Sequence, residues 1–330
     1  MEIRTGLPKP WRGPGRRAVL AMGLALAMPV AAPAAQQTIS MVVAASPGTG
    51  VDILARAISQ QLAMRSGIAA VVDNRPGASG NIGADHVARS KPDGSTLLVA
   101  ATTFATNAAV NHALPYDPIK DFAPVALLGT GTLCLAVPAS FPANTLADFI
   151  AKAKAEPGKI NYASPGNGTP QHLAMELFKQ EAGIDLFHVP FKGTGGAIND
   201  LSGGHVSAMI VPLHTVMSLV KGGKLKILAV MSGERVPSLP TVPTFRELGY
   251  DQVQVDVWYG LLAPAGTPTA VIDRLNGEVN EALKNPEVIA GLAKQGIEPQ
   301  GGTPGRMANV LAAEIKRWPP VVRAAQIKAD

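Results

Sequence analysis

Three short glycine-rich segments hold the residues best suited to chemistry. They read Ala45-Ser46-Pro47-Gly48-Thr49-Gly50-Val51-Asp52, Ala163-Ser164-Pro165-Gly166-Asn167-Gly168-Thr169-Pro170 and Phe191-Lys192-Gly193-Thr194-Gly195-Gly196. Each follows an apolar run and precedes a helical pattern. At such a junction glycine lets backbone N–H groups approach a ligand with no Cβ in the way. The helix start adds unpaired N–H groups and a partial positive charge. The guest that suits this place is an anion. Thr169 followed by Pro170 predicts a firm helix start, with Thr as N-cap and Pro at the first helical position. The bland alternative is that these glycines only make tight turns. Three similar segments at equivalent junctions weigh against it.

What is missing narrows the chemistry. No segment ends in Gly-Lys-Ser/Thr, so none is a Walker-type phosphate loop. Gly48-x-Gly50 meets Ile53 where a dinucleotide loop needs its third glycine. A carboxylate fits, because one helix start and two or three donors suffice to hold it. Gly77-Ala78-Ser79-Gly80-Asn81 is close to a nucleophile elbow, but Asn81 stands in place of the second glycine. The 6 histidines show no metal-ligand spacing and read as surface or hydrogen-bonded residues. His172, three residues after Thr169, is the exception, because it falls in the first helical turn beside the proposed anion site. The single cysteine, Cys134, lies in an apolar run and reads as a buried structural thiol. It excludes a disulfide framework, an iron–sulfur cluster and a four-cysteine zinc site. No catalytic residue, metal or cofactor is expected.

The elements that must position these turns alternate. Strands are predicted at Ile39–Ala44, Val71–Val72, Leu97–Ala100, Leu133–Val137, Ile160–Ala163, Phe187–Val189, Val206–Val211 and Leu225–Met231. Helices are predicted between them, at Asp52–Arg65, Ile82–Arg89, Leu146–Ala155 and Pro170–Ala182, then one from about Ala197 and another ending at Lys221. This alternation indicates parallel α/β sheets. Thr269 to Ala325 reads as nearly all helical, punctuated by Pro286, Pro299 and Pro304. Leu133–Pro138 and Val257–Ala263 look like strands bridging two domains. A chain that leaves the first domain at one and returns at the other would form two lobes around a cleft. Two consecutive domains with a fixed interface are an equally good reading of composition alone.

The length of 330 residues suits two domains, and 47% hydrophobic against 16% charged residues excludes a disordered tail protein. Aromatics at 5% argue against a stacking platform for single-stranded nucleic acid. The net charge of +5 is misleading, since Arg4, Lys9, Arg12, Arg16 and Arg17 stand against Glu2 alone in residues 1–35. The remainder is close to neutral, so no basic face for nucleic acid is expected. Residues 1–35 read as a secretory signal peptide: Arg16-Arg17, an apolar run from Ala18 to Val30, then Ala32-Pro33-Ala34. Cleavage near residues 34–36 and a periplasmic, soluble product are expected. The apolar run is too short for a membrane span.

The chain resembles the receptor family of tripartite tricarboxylate transporters, the periplasmic solute-binding proteins also called the Bug family. The resemblance rests on Pro47-Gly48 through Asp52 with Ala55-Arg56, on the run Val72-Asp73-Asn74-Arg75-Pro76-Gly77-Ala78-Ser79-Gly80-Asn81-Ile82-Gly83, and on Lys91-Pro92-Asp93-Gly94. It continues through Leu114-Pro115-Tyr116-Asp117-Pro118, Asp121-Phe122-Ala123-Pro124-Val125 and Asn161-Tyr162-Ala163-Ser164 with His172-Leu173-Ala174. His188 to Gly193, Gly222 to Leu225, Val242-Pro243-Thr244 and Trp258 to Pro268 complete it. These segments cover nearly all of the chain after residue 36.

The resemblance implies an α/β, two-lobed periplasmic-binding-protein fold. Each lobe is then a mainly parallel sheet flanked by helices, joined by two crossover strands. Lobe 1 comprises residues 36–137 and 257–330, lobe 2 residues 138–256. A small carboxylate (a di- or tricarboxylate, an amino acid or an aromatic acid) is held in the cleft, largely by backbone groups and ordered waters. The implied contacts are Ser46, Gly48 and Asp52 from lobe 1 and Ser164, Asn167, Gly168 and Thr169 from lobe 2. Thr102, Thr103 and Asn107 stand where the family often has Ser-Thr-x-x-x-Asn and would hold the far end of the ligand. Lys192, Gly193 and Thr194 lie near the same cleft. The implied partners are integral-membrane permease subunits, and the receptor is expected to be a monomer.

Two departures from the family pattern matter. The first turn lacks the usual Pro-Gly-Gly, and Val211-Pro212-Leu213-His214 replaces a segment that often carries an acidic residue. The latter puts recognition of an amino group in doubt. Two other functions share the sequence features less well. One is a receptor that presents its ligand to a membrane sensor kinase, using the same fold. The other is a secreted hydrolase or lyase, for which the nucleophile–base pair or metal cluster is missing.

Overall fold

The computed structural model describes residues 38–111 and 113–327, together with Glu2, Gly6, Lys9 and Pro10. The segment predicted as a signal peptide lies outside the described residues, apart from those four positions, and so does His112. Among the described residues no helix is long and apolar enough to cross a membrane.

In chain order the elements are β1 (Ile39–Val43), α1 (Gly50–Ser66), β2 (Ala70–Asn74), α2 (Asn81–Ala88), β3 (Thr96–Ala101) and α3 (Thr103–Val110). Then come β4 (Phe122–Pro138), α4 (Leu146–Ala155), β5 (Asn161–Ser164), α5 (Pro170–Ala182), β6 (Phe187–Pro190), α6 (Thr194–Ser202) and β7 (Ala208–Pro212). The chain ends with α7 (Leu213–Lys221), β8 (Leu225–Val230), β9 (Asp256–Pro264), α8 (Thr269–Leu283), α9 (Pro286–Ala293), β10 (Ile297–Pro299) and α10 (Pro304–Ala324).

The strands form one path, β2-β1-β3-β9-β4-β7-β5-β6, with β10 and β8 also paired to β4. β4 is the shared strand. Its first part, Phe122–Thr132, pairs with β9, and Gly129–Gly131 pair with β10 as well. Its last part, Leu133–Pro138, pairs with β7 and β8. Every pair that includes β4 or β9 is antiparallel, whereas β1–β2, β1–β3, β5–β6 and β5–β7 are parallel. Two register shifts along β4–β9 bend the shared strand, as bulges do.

Burial follows the pleat. Met41 and Val43 of β1 point into one core cluster with Leu54, Leu97 and Val279, while Val42 joins Val87, Leu98 and Met307 on the other face. An inner parallel strand covered on both faces needs apolar residues at every position. β4 alternates in the same way: Leu133, Leu135 and Val137 face one cluster, Cys134 and Ala136 the other. Cys134 is buried as expected, and burial pushes its thiol well above the ordinary range. Val211 is buried in the same cluster as Cys134, so this strand position faces the core and not a cleft.

The structure adds three things to the predicted elements. α3 forms from Thr103-Phe-Ala-Thr-Asn-Ala-Ala-Val110, where no helix was expected. β4 runs from Phe122, not from Leu133, through Gly129 and Gly131. β10 interrupts the helical C-terminal region because Ile297, fully buried, pairs with Gly131. Beyond it, α10 continues through Pro319 and Pro320. Its final turns place Trp318, Val321 and Val322 in the cluster built by β5, α5 and the last part of β4.

Candidate functional site

The second glycine turn is built from local bonds. Thr169 is the N-cap of α5: its Oγ1 accepts from His172 N at 3.4 Å and its hydroxyl donates to Gly166 O at 2.8 Å. Pro170 follows at the first helical position, where a missing N–H costs nothing. Gly168 adopts φ +67°, a left-handed conformation that disfavours any residue with a Cβ. Its N–H donates to His172 Nδ1 at 3.1 Å. Ser164 is buried behind the turn, its Oγ 2.7 Å from His188 Nε2 and accepting from Gly166 N at 3.2 Å. The third turn docks on the second, since Gly193 N donates to Pro165 O at 2.9 Å.

The first turn uses the same device with a different partner. Gly48 N donates to Asp52 Oδ2 at 2.9 Å, four residues on, as Gly168 does to His172. Asp52 is only 2% exposed. Its carboxylate also accepts from Arg56 Nε at 3.0 Å and from Asn74 Nδ2 at 2.9 Å. Burial raises the Asp52 carboxyl, but Arg56, Gly48 and Asn74 together outweigh it and hold the group below the usual carboxylate range. The carboxylate thus shapes the turn from inside it.

A cavity of about 160 Å³ lies between α3, the turn Ala78–Asn81 and the second glycine turn. Thr103, Asn107 and Val110 line it from α3, and Asn167, Gly168 and Thr169 face them. Among the described residues no charged side chain contributes to its lining. A smaller recess of about 30 Å³ shares Ser79, Thr103 and Asn107 with it and runs inward between Ala44, Val51, Leu98 and Phe104. The arrangement is a polar, uncharged chamber with an apolar extension.

The predicted site residues divide into four groups. Thr103, Asn107, Asn167, Gly168 and Thr169 come together around the cavity. Asp52, Thr102 and Ser164 are buried supports. Thr102 ties α3 to β9, its Oγ1 accepting from Trp258 N at 2.8 Å. Ser46 and Gly48 are exposed in the first turn, whose neighbours Ala45 and Val51 border the recess. Lys192 is exposed, and Gly193 and Thr194 are half-buried at the start of α6, outside the cavity lining.

Residues not singled out as contacts complete the site. Ser79 and its neighbour Ala78 have φ of +54° and +45°, strained for non-glycine residues. They line the cavity with Asn81. Asn107 Nδ2 donates to Ser79 O at 2.8 Å and to Asn81 Oδ1 at 3.0 Å, and Tyr116 OH donates to Asn81 Oδ1 at 2.8 Å. The signal was present in Gly77-Ala78-Ser79-Gly80-Asn81, which comparison with a nucleophile elbow had set aside. His172 and His188, both hydrogen-bonded to the second turn, also stack, ring centroids 3.8 Å apart.

Fold and site define an α/β solute-binding protein of the periplasmic-binding-protein type. The model of the tripartite tricarboxylate transporter family receptor matches residues 54–327, and the chain belongs to that family. It is 37% identical over 324 residues, 96% of each chain, to a UPF0065 protein from the tcbD–tcbE intergenic region of Pseudomonas sp. (strain P51). Among solved structures, Rpa4515 of R. palustris with adipate is 34% identical at TM-score 0.77, covering 90% of this chain and 99% of that one. MatC from Rhodopseudomonas palustris with bound malate is 34% identical at TM-score 0.73, over 86% and 98%. The periplasmic binding protein BugD is 30% identical at TM-score 0.73, over 88% and 98%. The family is one of transporter receptors, and the protein described here is a receptor of that family and not an enzyme.

Proposed function

We propose that the protein is a periplasmic receptor that captures a small carboxylate between α3 and the second glycine turn and delivers it to a tripartite tricarboxylate-type permease. The observation that carries this reading is the cavity itself. It is faced from both sides by neutral hydrogen-bonding groups, and relatives of the same family bind adipate and malate. An anion is then held by neutral side chains and oriented dipoles rather than by a side-chain cation, the Gly166 and Gly168 N–H groups being already bonded within the turn.

The same reading includes two lobes, residues 36–137 with 257–330 and residues 138–256, closing on the ligand. Support comes from the way β4 changes partners at Leu133, with separate core clusters on either side. Export with loss of residues 1–35 and a monomeric state belong to this proposal as well.

A thermal-shift screen with mono-, di- and tricarboxylates and amino acids tests it. Ligand that binds only the native state raises stability by about 2.7 kcal/mol at a hundredfold excess over Kd. At least one carboxylate should do so, and Asn107→Ala or Thr169→Ala should weaken that response. A screen in which no carboxylate shifts the transition would overturn the reading.

A further inference from the structure

Behind the second turn two imidazoles lie face to face. His172 belongs to the first turn of α5 and His188 to β6; their planes are 15° apart. Neither ring lines the cavity between the turns. Each instead reaches the turn from behind, at a different point. His172 Nδ1 accepts the Gly168 N–H, and His188 Nε2 meets the Ser164 hydroxyl that in turn accepts the Gly166 N–H. An Nδ1 that accepts a hydrogen bond carries a lone pair, so His172 is neutral with its proton on Nε2.

We propose that His172 is a positioning residue for the ligand-binding turn, held in place by His188: its neutral ring fixes Gly168, and acid releases the turn and weakens ligand. Protonation at Nδ1 would set a second donor against the Gly168 N–H across 3.1 Å. The turn must then open or rotate away. This inference rests on the second turn being part of the carboxylate site.

The surroundings oppose charge on His172. Burial lowers it to about 3, with His188 and Lys179 adding to the effect. His188 is lowered by burial and by Lys179, while Glu176 works the other way. Tyr162 of β5 stacks on His188 at 4.9 Å and donates its hydroxyl to Glu176, which Lys179 Nζ also meets at 2.8 Å. Asp185 stands at the rim. A recess of about 510 Å³, lined by both rings, Glu176 and Lys179 and sharing Asn167 with the cavity, gives protons a route to the pair although His172 itself is buried. Released from the turn, His172 would regain an ordinary affinity for protons. Falling pH therefore favours the released form, by up to about tenfold per pH unit for one proton.

The test compares wild type, His172→Asn and His172→Leu, each checked for folding by circular dichroism. Asn places an acceptor where Nδ1 stood and never ionises; Leu removes it. The first readout needs no ligand: hydrogen exchange and the NMR shift of the Gly168 amide across pH. The amide should be protected in wild type and in His172→Asn, move with pH only in wild type, and lose protection in His172→Leu. The second readout is calorimetry with adipate and with malate from pH 7.5 to 4.5. Wild type should lose about tenfold or more in affinity, His172→Asn should stay flat, and His172→Leu should be about tenfold weaker at every pH. Equal protection of Gly168 in wild type and His172→Leu overturns the proposal, as does the same pH slope in wild type and His172→Asn. If the amide behaves as expected but no variant binds either acid or any other carboxylate of the thermal-shift panel, the carboxylate reading fails and the positioning role of His172 stands.

Discussion

Val110 of α3 closes directly on Gly168: a Cβ built on this glycine would lie 3.0 Å from Val110 Cγ2 and 3.2 Å from Cγ1. The contact joins the helix and the turn that face each other across the candidate cavity. Gly168→Ala therefore meets two costs. The left-handed backbone disfavours a side chain by about 1–2 kcal/mol, and the methyl pushes on Val110. A total of about 2–3 kcal/mol is expected in urea unfolding, within the range for strain plus overpacking. Adding Val110→Ala should return part of it, as a coupling of at least about 0.5 kcal/mol. Strictly additive costs would show that Val110 does not oppose the new Cβ.

Asp52 and Arg56 form an ion pair of unequal partners. The Asp52 side chain is 3% exposed and the Arg56 side chain 53%. Removing Asp52 strands the Gly48 N–H and the Asn74 amide, at about 1–3 kcal/mol for buried donors left unpaired. Removing Arg56 leaves a carboxylate that still accepts from both, at less than about 1 kcal/mol. The expected order at pH 7 is therefore Asp52→Ala well above Arg56→Ala. The folded Asp52 sits below its unfolded value of 3.8, so its stabilisation is present above that pH and is lost as pH falls through the folded value. Unfolding midpoints of the two variants at pH 7 and pH 3 measure both the order and its narrowing in acid.

What the sequence made legible was local. The start of α5 follows from Thr169 and Pro170 alone, because capping is settled within one turn of chain. The Gly168 turn was legible for the same reason. β4 was found only in part, since Pro124, Gly129, Thr130 and Gly131 break the apolar pattern that marks a strand. Those residues stay in the strand because β9 pairs along all of them, with β10 on the other side of Gly129–Gly131. α3 hid in a run containing two threonines, residues with weak helix propensity. The role of His188 depends on β6 lying beside β5, a pairing that no local pattern encodes.

α10 crosses further than its sequence suggested. Trp318 is fully buried among residues of the second set of strands, and its Nε1 donates to Glu314 Oε2 at 2.9 Å. Arg317 Nη1 donates to Gln254 O at 2.9 Å, fixing the helix to the segment before β9. Trp318→Ala should cost about 3–5 kcal/mol, as for large aromatic truncations in a core. Trp318→Phe should cost clearly less, because most of the apolar contact survives. Limited proteolysis should open first at the end of α10 in the alanine variant. If cleavage begins elsewhere and stability is unchanged, Trp318 does not hold the end of α10 against the second set of strands.

Asp256 opens β9 opposite Thr132 of β4, at the point where the shared strand changes partners. Burial raises its carboxyl to about 6; Arg317 works against this, while Glu314 and Glu298 add to it. The unfolded group ionises at its ordinary value of 3.8, so between that pH and about 6 the native state holds the extra proton. Stability contributed by this group is then greatest in acid, declines as pH rises toward 6 and is level above it. Asp256→Asn keeps the shape and removes the charge. It should leave stability unchanged near pH 4 and raise it by about 1–2 kcal/mol at pH 7.5, below the ceiling of roughly 3 kcal/mol that a shift of about two pH units allows. Arg317→Ala should push the other way at neutral pH, by removing the cation that favours the ionised form. Urea unfolding of both variants at pH 4, 6 and 7.5 is the measurement. A gain in Asp256→Asn that is the same at all three values would mean packing, not charge, is responsible. A loss at pH 7.5 would mean that the Arg317 attraction outweighs burial.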